Sequence, residues 1–149
     1  LAGALDLLKQ RYQKHGAFTG EVVDEIAAGI VSGYEQLPAI YDLIDQNTFR
    51  QITLTTEERT VYIQLLRNLG PGEASCIAAA CIRNASVITD DRVARSLCEE
   101  FKVPFSGTIG ILVALVREKS LSLVQADQLL AQMTEKSFYS PVKRISDVL

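Results

Sequence analysis

Apolar positions recur at helical spacing along most of the chain and are interrupted by a few short alternating stretches. Leu1, Leu5, Leu8 and Tyr12 share one helical face and predict a helix over residues 1–12. Gly16 stops it, and Ala17-Phe18-Thr19 reads as a short strand. Val22, Ile26 and Ile30 predict a helix over 21–30. Leu37, Tyr41 and Ile44 predict another over 34–44, with Pro38 in the first turn, where its missing N–H is tolerated. Residues 49–54 (FRQITL) alternate as a half-buried strand does. Thr55 or Thr56, followed by Glu57 and Glu58, then marks the start of a helix reaching Asn68.

Past the break at Gly70-Pro71-Gly72 the pattern becomes more apolar. Glu73 opens a helix to Arg83 whose segment ASCIAAACI is small or apolar on every side, the mark of a buried helix. A strand over 85–89, a helix over 92–101 and a strand over 103–106 follow. A buried helix over 107–119, a helix over 121–136 and a last amphipathic helix near 140–149 complete the reading. With no repeat, low-complexity stretch or linker, residues 1–149 read as one domain. Short strands alternating with helices predict a three-layer α/β/α sandwich around a short, mostly parallel central sheet.

Composition narrows the function classes. At 48% hydrophobic and 22% charged residues the chain is globular rather than disordered. Its longest apolar runs, residues 77–82 and 109–116, fall well short of the roughly 18 residues that span a bilayer. Fifteen basic against eighteen acidic groups give a net charge of −3, which argues against tight non-specific binding to nucleic acid. The halves differ: residues 1–80 carry six basic and ten acidic groups (−4), residues 81–149 nine and eight (+1). Cys76, Cys81 and Cys98 form no CxxC pair and suggest reduced thiols in the cytoplasm. The single histidine, His15, excludes two-histidine acid–base catalysis and multi-histidine zinc sites; beside Gly16 at a helix end it suits a dipole role.

The candidate chemistry is therefore carboxylate chemistry. Glu73 sits in the first turn of the apolar helix, where the macrodipole favours a negative charge; it either complements that dipole or serves as a ligand. Asp90 and Asp91 follow a short strand at its carboxyl end, where open α/β sheets gather ligands. Asp91 is placed to cap the helix starting at Arg92, which leaves Asp90 for the cleft, although both also suit a plain turn. Glu25 is next to Asp24 beside the apolar face of Val22 and Ile26, so one of the two acids lies near the core boundary and the other more in solvent; taken alone, Glu25 reads as a solvated helix residue. Acids arriving from separate elements suit a hard divalent cation such as Mg²⁺. Arg92 and Arg95 either steer phosphates or solvate a helix face. Thr108, in the turn Gly107-Thr108-Ile109-Gly110, offers a hydroxyl near the cleft, and Cys76 and Cys81 read as small core fillers.

The segments LGPGEASCIAAA (residues 69–80), VITDDRVAR (87–95) and PFSGTIGILVAL (104–115), with GALDLL (3–8) and VVDEI (22–26) before them, resemble the PIN-domain superfamily. Within it they resemble most the branch of predicted nucleic-acid-binding proteins related to VapC-type toxins. The likeness is strong over residues 69–149, fair over 1–31 and poor between 33 and 68. It implies a Mg²⁺- or Mn²⁺-dependent endoribonuclease, the toxin of a toxin–antitoxin pair. Glu25, Glu73 and Asp90 would be its metal-binding catalytic acids, with Asp91 assisting. Arg92, Arg95 and Thr108 would contact RNA. The likeness also implies a homodimer and an antitoxin that occludes the cleft. In the family a first Asp lies on a strand preceding the GALDLL helix. The sequence opens at that helix, so the first strand of the sheet is expected to be missing from it. The alternative expectation is a PIN fold without catalysis that binds nucleic acid or protein.

Overall fold

Helix α1 (Ala2–Tyr12) begins the structure, a computed structural model that describes residues 2–149. Leu1, expected on the first helical stripe, lies outside the described residues. Strand β1 (Ala17–Thr19) follows, then α2 (Gly20–Val31), α3 (Leu37–Asp45), β2 (Arg50–Ile52), α4 (Thr56–Leu65) and α5 (Pro71–Arg83). The remaining elements are β3 (Val87–Ile88), α6 (Arg92–Glu100), β4 (Phe105–Ser106), α7 (Thr108–Arg117), α8 (Leu123–Glu135) and a 3₁₀ turn at Ile145–Asp147. The chain is α/β, as the alternation of strands and helices predicts. No helix among the described residues is long and apolar enough to cross a membrane.

Residues 8–105 form one compact unit and residues 106–149, with 2–7, a second. In the first, β1 and β2 pair in parallel, with Ala17 opposite Arg50, Phe18 opposite Gln51 and Thr19 opposite Ile52. Helices α2 and α3 make the crossover that a parallel pair requires. The strands of the expected central sheet form two separate pairs, β1–β2 and β3–β4. Val87 N–H donates to the Pro104 carbonyl at 2.9 Å beside the second pair. Helix α5 packs against β1 and β3 alike, and against α2, α4 and α6, so it is the axis of this unit.

Its sequence explains that position. Ala74, Ile77, Ala78 and Ala80 are buried, and around them gather Leu65, Val87, Ala94, Leu97, Cys98 and Val103. Small side chains let neighbouring backbones approach closely and leave Ile77, fully buried, as the bulk that fills the space. The helix is not buried all round, because Ile82 is 47% exposed. Asn84 ends it with φ 53° in the left-handed region, and Ala85 N–H returns to the Ala80 carbonyl at 3.0 Å. At the other helix starts the expected caps are present. Thr55 and Glu58 form a reciprocal capping box on α4, and Asp91 Oδ1 accepts from Ala94 N–H at 2.7 Å on α6.

Glu58 does more than cap. Its fully buried carboxylate receives Arg83 Nε at 2.5 Å and Nη2 at 3.0 Å, and Nη2 also reaches the Thr53 carbonyl. The Arg83 guanidinium, outweighing the opposing cost of burial, holds the Glu58 carboxyl below the usual glutamate range. This two-point contact fastens α4 to the last turn of α5.

In the second unit Leu130, Ala126 and Ile145 are fully buried. The expected last amphipathic helix is only the 3₁₀ turn. Pro141 interrupts backbone donation, Ser140 Oγ accepts from Val142 N–H, and Asp127 Oδ1 takes the Ile145 N–H at 2.6 Å. The segment is thus held by side-chain caps instead of a helical ladder.

Candidate functional site

The start of α5 has an unusual shortage of local caps. Gly70 at the N-cap has no side chain, and Pro71 has no N–H to satisfy. The next free donor, Gly72 N–H, is taken by Glu25 Oε1 from α2 at 2.8 Å, across 47 positions of sequence. A Cβ at Gly72 would overlap the Glu25 carboxylate as it stands, so a larger residue there would displace the end of that side chain. Glu73 follows directly in the first turn of α5, where the helix dipole stabilises its charge. Two carboxylates from α2 and α5 therefore meet at one helix start, and neither has a cationic partner among the described residues. Glu25 is solvent-exposed and Glu73 half-buried.

Their fields converge on Cys76, one turn into α5. Burial pushes the Cys76 thiol up, a hydrogen bond with Thr19 partly offsets this, and the charges of Glu73 and Glu25 raise it further. Cys76 is thus held as a protonated thiol; half-buried, it packs against the core of this unit as a small filler. Tyr62 is likewise raised, first by burial and then by Glu21, with Glu25 adding to it and Arg59 opposing.

Asp90 belongs to a different arrangement. Exposed after β3, it pairs with Arg95 Nη2 at 2.8 Å. Arg95 Nε holds the Thr89 carbonyl at 3.0 Å, and the guanidinium lies 6.0 Å from the Phe105 ring centre. Asp91 has committed Oδ1 to the α6 cap. Arg92 is exposed in the first turn of α6. Thr108 is the first residue of α7, half-buried, and belongs to the second unit. Among the described residues no three His, Cys, Asp or Glu side chains are grouped to hold a metal ion. The structure brings Glu25 and Glu73 together and ties Asp90 to an arginine.

Two buried hydroxyls escaped the sequence reading. Thr19, 2% exposed, accepts from Val22 N–H as the N-cap of α2, and its Oγ1 lies 2.7 Å from Oγ of fully buried Ser75. The Thr19 cap was visible as a Thr before Gly-Glu-Val-Val. Ser75 looked like one more small residue of the apolar helix, and nothing local marks it. Two clefts elsewhere, of about 490 and 510 Å³, are lined by residues 116–125 and by Tyr41, Ile44, Asp45, Asn47, Arg50 and Gln51. Neither includes Glu25, Glu73 or Asp90.

A family model described as DUF3368, a PIN domain, matches residues 1–149. No curated protein and no solved structure gives a significant match. Because the match runs the length of the chain, and the α/β fold agrees with it, this chain belongs to the PIN-domain family, whose members are in general nucleases or nucleic-acid-binding proteins.

Proposed function

We propose that the chain is a divalent-metal-dependent endoribonuclease that cleaves RNA phosphodiesters. One observation carries the reading: Glu25 and Glu73 both lie at the start of α5 with no cationic partner among the described residues. Such a pair fits Mg²⁺ or Mn²⁺, which needs only one or two carboxylates and completes its shell with water and phosphate. When bound, the ion supplies an activated water and charge stabilisation at the leaving oxygen. Glu73 and the outer oxygen of Glu25 would hold it. Gly72 N–H fixes the inner Glu25 oxygen and so limits the carboxylate's rotation. The exposure of Glu25 admits a polymer better than a closed cavity would. Arg92, exposed at the α6 start, suits a backbone phosphate, and Asp91 keeps its helix in place.

Asp90 joins this function only by exchanging its arginine for the metal, with Arg95 then released toward RNA phosphate. Action as the toxin of a toxin–antitoxin pair, a homodimeric state and a cytoplasmic location belong to the same proposal. A second reading, a binding module without catalysis, is favoured by the Asp90–Arg95 pair, which occupies the third acid. Mn²⁺ titration followed by proton relaxation, with cleavage of a single-stranded RNA, separates them. Binding lost in Glu25→Gln and Glu73→Gln, together with loss of cleavage, supports the nuclease; RNA binding with no cleavage at saturating Mn²⁺ supports the module.

A further inference from the structure

The hydroxyls of Thr19 and Ser75 close a hydrogen-bonded ring that the proposed chemistry does not use. Ser75 Oγ donates its single hydrogen to the Gly72 carbonyl at 2.8 Å. It must therefore accept from Thr19, so the 2.7 Å contact between them has a defined direction. Thr19 Oγ1 in turn accepts from Val22 N–H, and Cys76 Sγ lies 3.9 Å away. From Thr19 the path runs along α2 to Glu25, across to Gly72 N–H, and through the Gly72 carbonyl to Ser75 and back. Both faces of the Gly72 peptide region are held: its N–H by the acid and its C=O by the hydroxyl pair.

Each hydroxyl also bonds within its own helix. Thr19 caps α2 through a long 3.4 Å bond, and Ser75 lies past the first turn of α5. What the pair does is tie the start of α2 to the start of α5, across 56 positions, in a site from which water is excluded. In such surroundings a lost partner leaves a buried polar atom unsatisfied, so the tie is stiff.

We propose that Thr19 and Ser75 are positioning residues that set the placement of Glu25 on Gly72 N–H, and with it the Glu25–Glu73 pair. The claim rests on the metal-site reading for its consequence but not for its geometry, and two measurements keep them apart. In the whole chain, Thr19→Val keeps the shape and removes both the Ser75 bond and the Val22 N–H cap, whereas Ser75→Ala removes the contact and leaves the cap. Exchange of the Gly72 amide with solvent should accelerate about tenfold, while Leu130, in the other unit, keeps its wild-type rate. Mn²⁺ affinity should fall by a similar factor, about tenfold. Thr19→Ser should restore both. Ser75→Ala, which removes the same contact from α5, should behave like Thr19→Val should that variant fold poorly. An unchanged Gly72 rate in both variants overturns the ring. A faster Gly72 rate with unchanged Mn²⁺ affinity overturns its positioning role. Absence of Mn²⁺ binding by the wild-type chain removes the metal site, and the ring is then judged on Gly72 exchange.

Discussion

Helix α5 presents two carboxylate arrangements, one at each end, and they are opposites. At its last turn Arg83 meets Glu58, a fully buried acid whose charge is matched by a two-pronged guanidinium. At its first turn Glu25 and Glu73 carry two negative charges, met among the described residues by a backbone N–H and the helix dipole. The first is an acid whose demand is met within the chain and whose product is adhesion between α4 and α5. The second leaves its demand open, which is the condition for binding something from outside. Charge alone does not mark a site; unmatched charge does.

Breaking the matched end should cost stability and spare binding. Glu58→Ala removes the pair and half of the capping box together. With Arg83 about a third exposed, the loss should be about 2–3 kcal/mol, the lower side of what broken buried pairs cost, read by urea unfolding. Mn²⁺ affinity should be unchanged at temperatures where the fold persists. Breaking the unmatched end should do the reverse. Glu73→Gln keeps the size of the side chain, should leave unfolding within about 0.5 kcal/mol, and should lower RNA cleavage by about 100-fold. A large stability loss in Glu73→Gln would make that acid structural.

Acid should discriminate the ends as well. Glu58 has a folded-state pKa below its unfolded value, so its contribution is complete above the unfolded glutamate value. It disappears as pH falls through the folded one. Urea midpoints measured from pH 6 downward should therefore decline in the glutamate range and below in the wild type, and decline less in Glu58→Gln. The smallest effect concerns Asp91. Asp91→Ala should cost about 1 kcal/mol by loss of the α6 cap, with cleavage changed little. If cleavage falls by orders of magnitude, Asp91 acts on the metal as well as on the helix.

The sequence disclosed those features whose physics is local. Thr55 with Glu58 and Asp91 before Arg92 announce helix starts because each cap is built from residues three apart, and Pro71 announces another because its missing N–H is tolerated in a first turn. Glu73 was legible for the same reason, as an acid in a first turn. Glu25 was legible only through resemblance to the PIN family, since its partner Gly72 is 47 positions away. The Thr19–Ser75 contact and the Arg83–Glu58 pair were hidden by distance in the same way. Strands of two or three residues give too little alternation to show how they pair, so two pairs passed for one sheet. Residues 140–149 had an apolar rhythm, but a single proline and a cap from Asp127 outweigh rhythm over ten residues.

The left-handed stop at Asn84 has a consequence for Asp90. Only three residues separate Arg83 from Val87; the Asn84 and Ala85 N–H groups are engaged with the helix end, and Val87 N–H with Pro104. The turn leaves no slack, so β3 cannot slide along the helix it packs on, and the loop carrying Asp90 starts from a set height. Exchanging the Asp90 side chain should then alter the chemistry of that corner while the scaffold beneath it stays where it is.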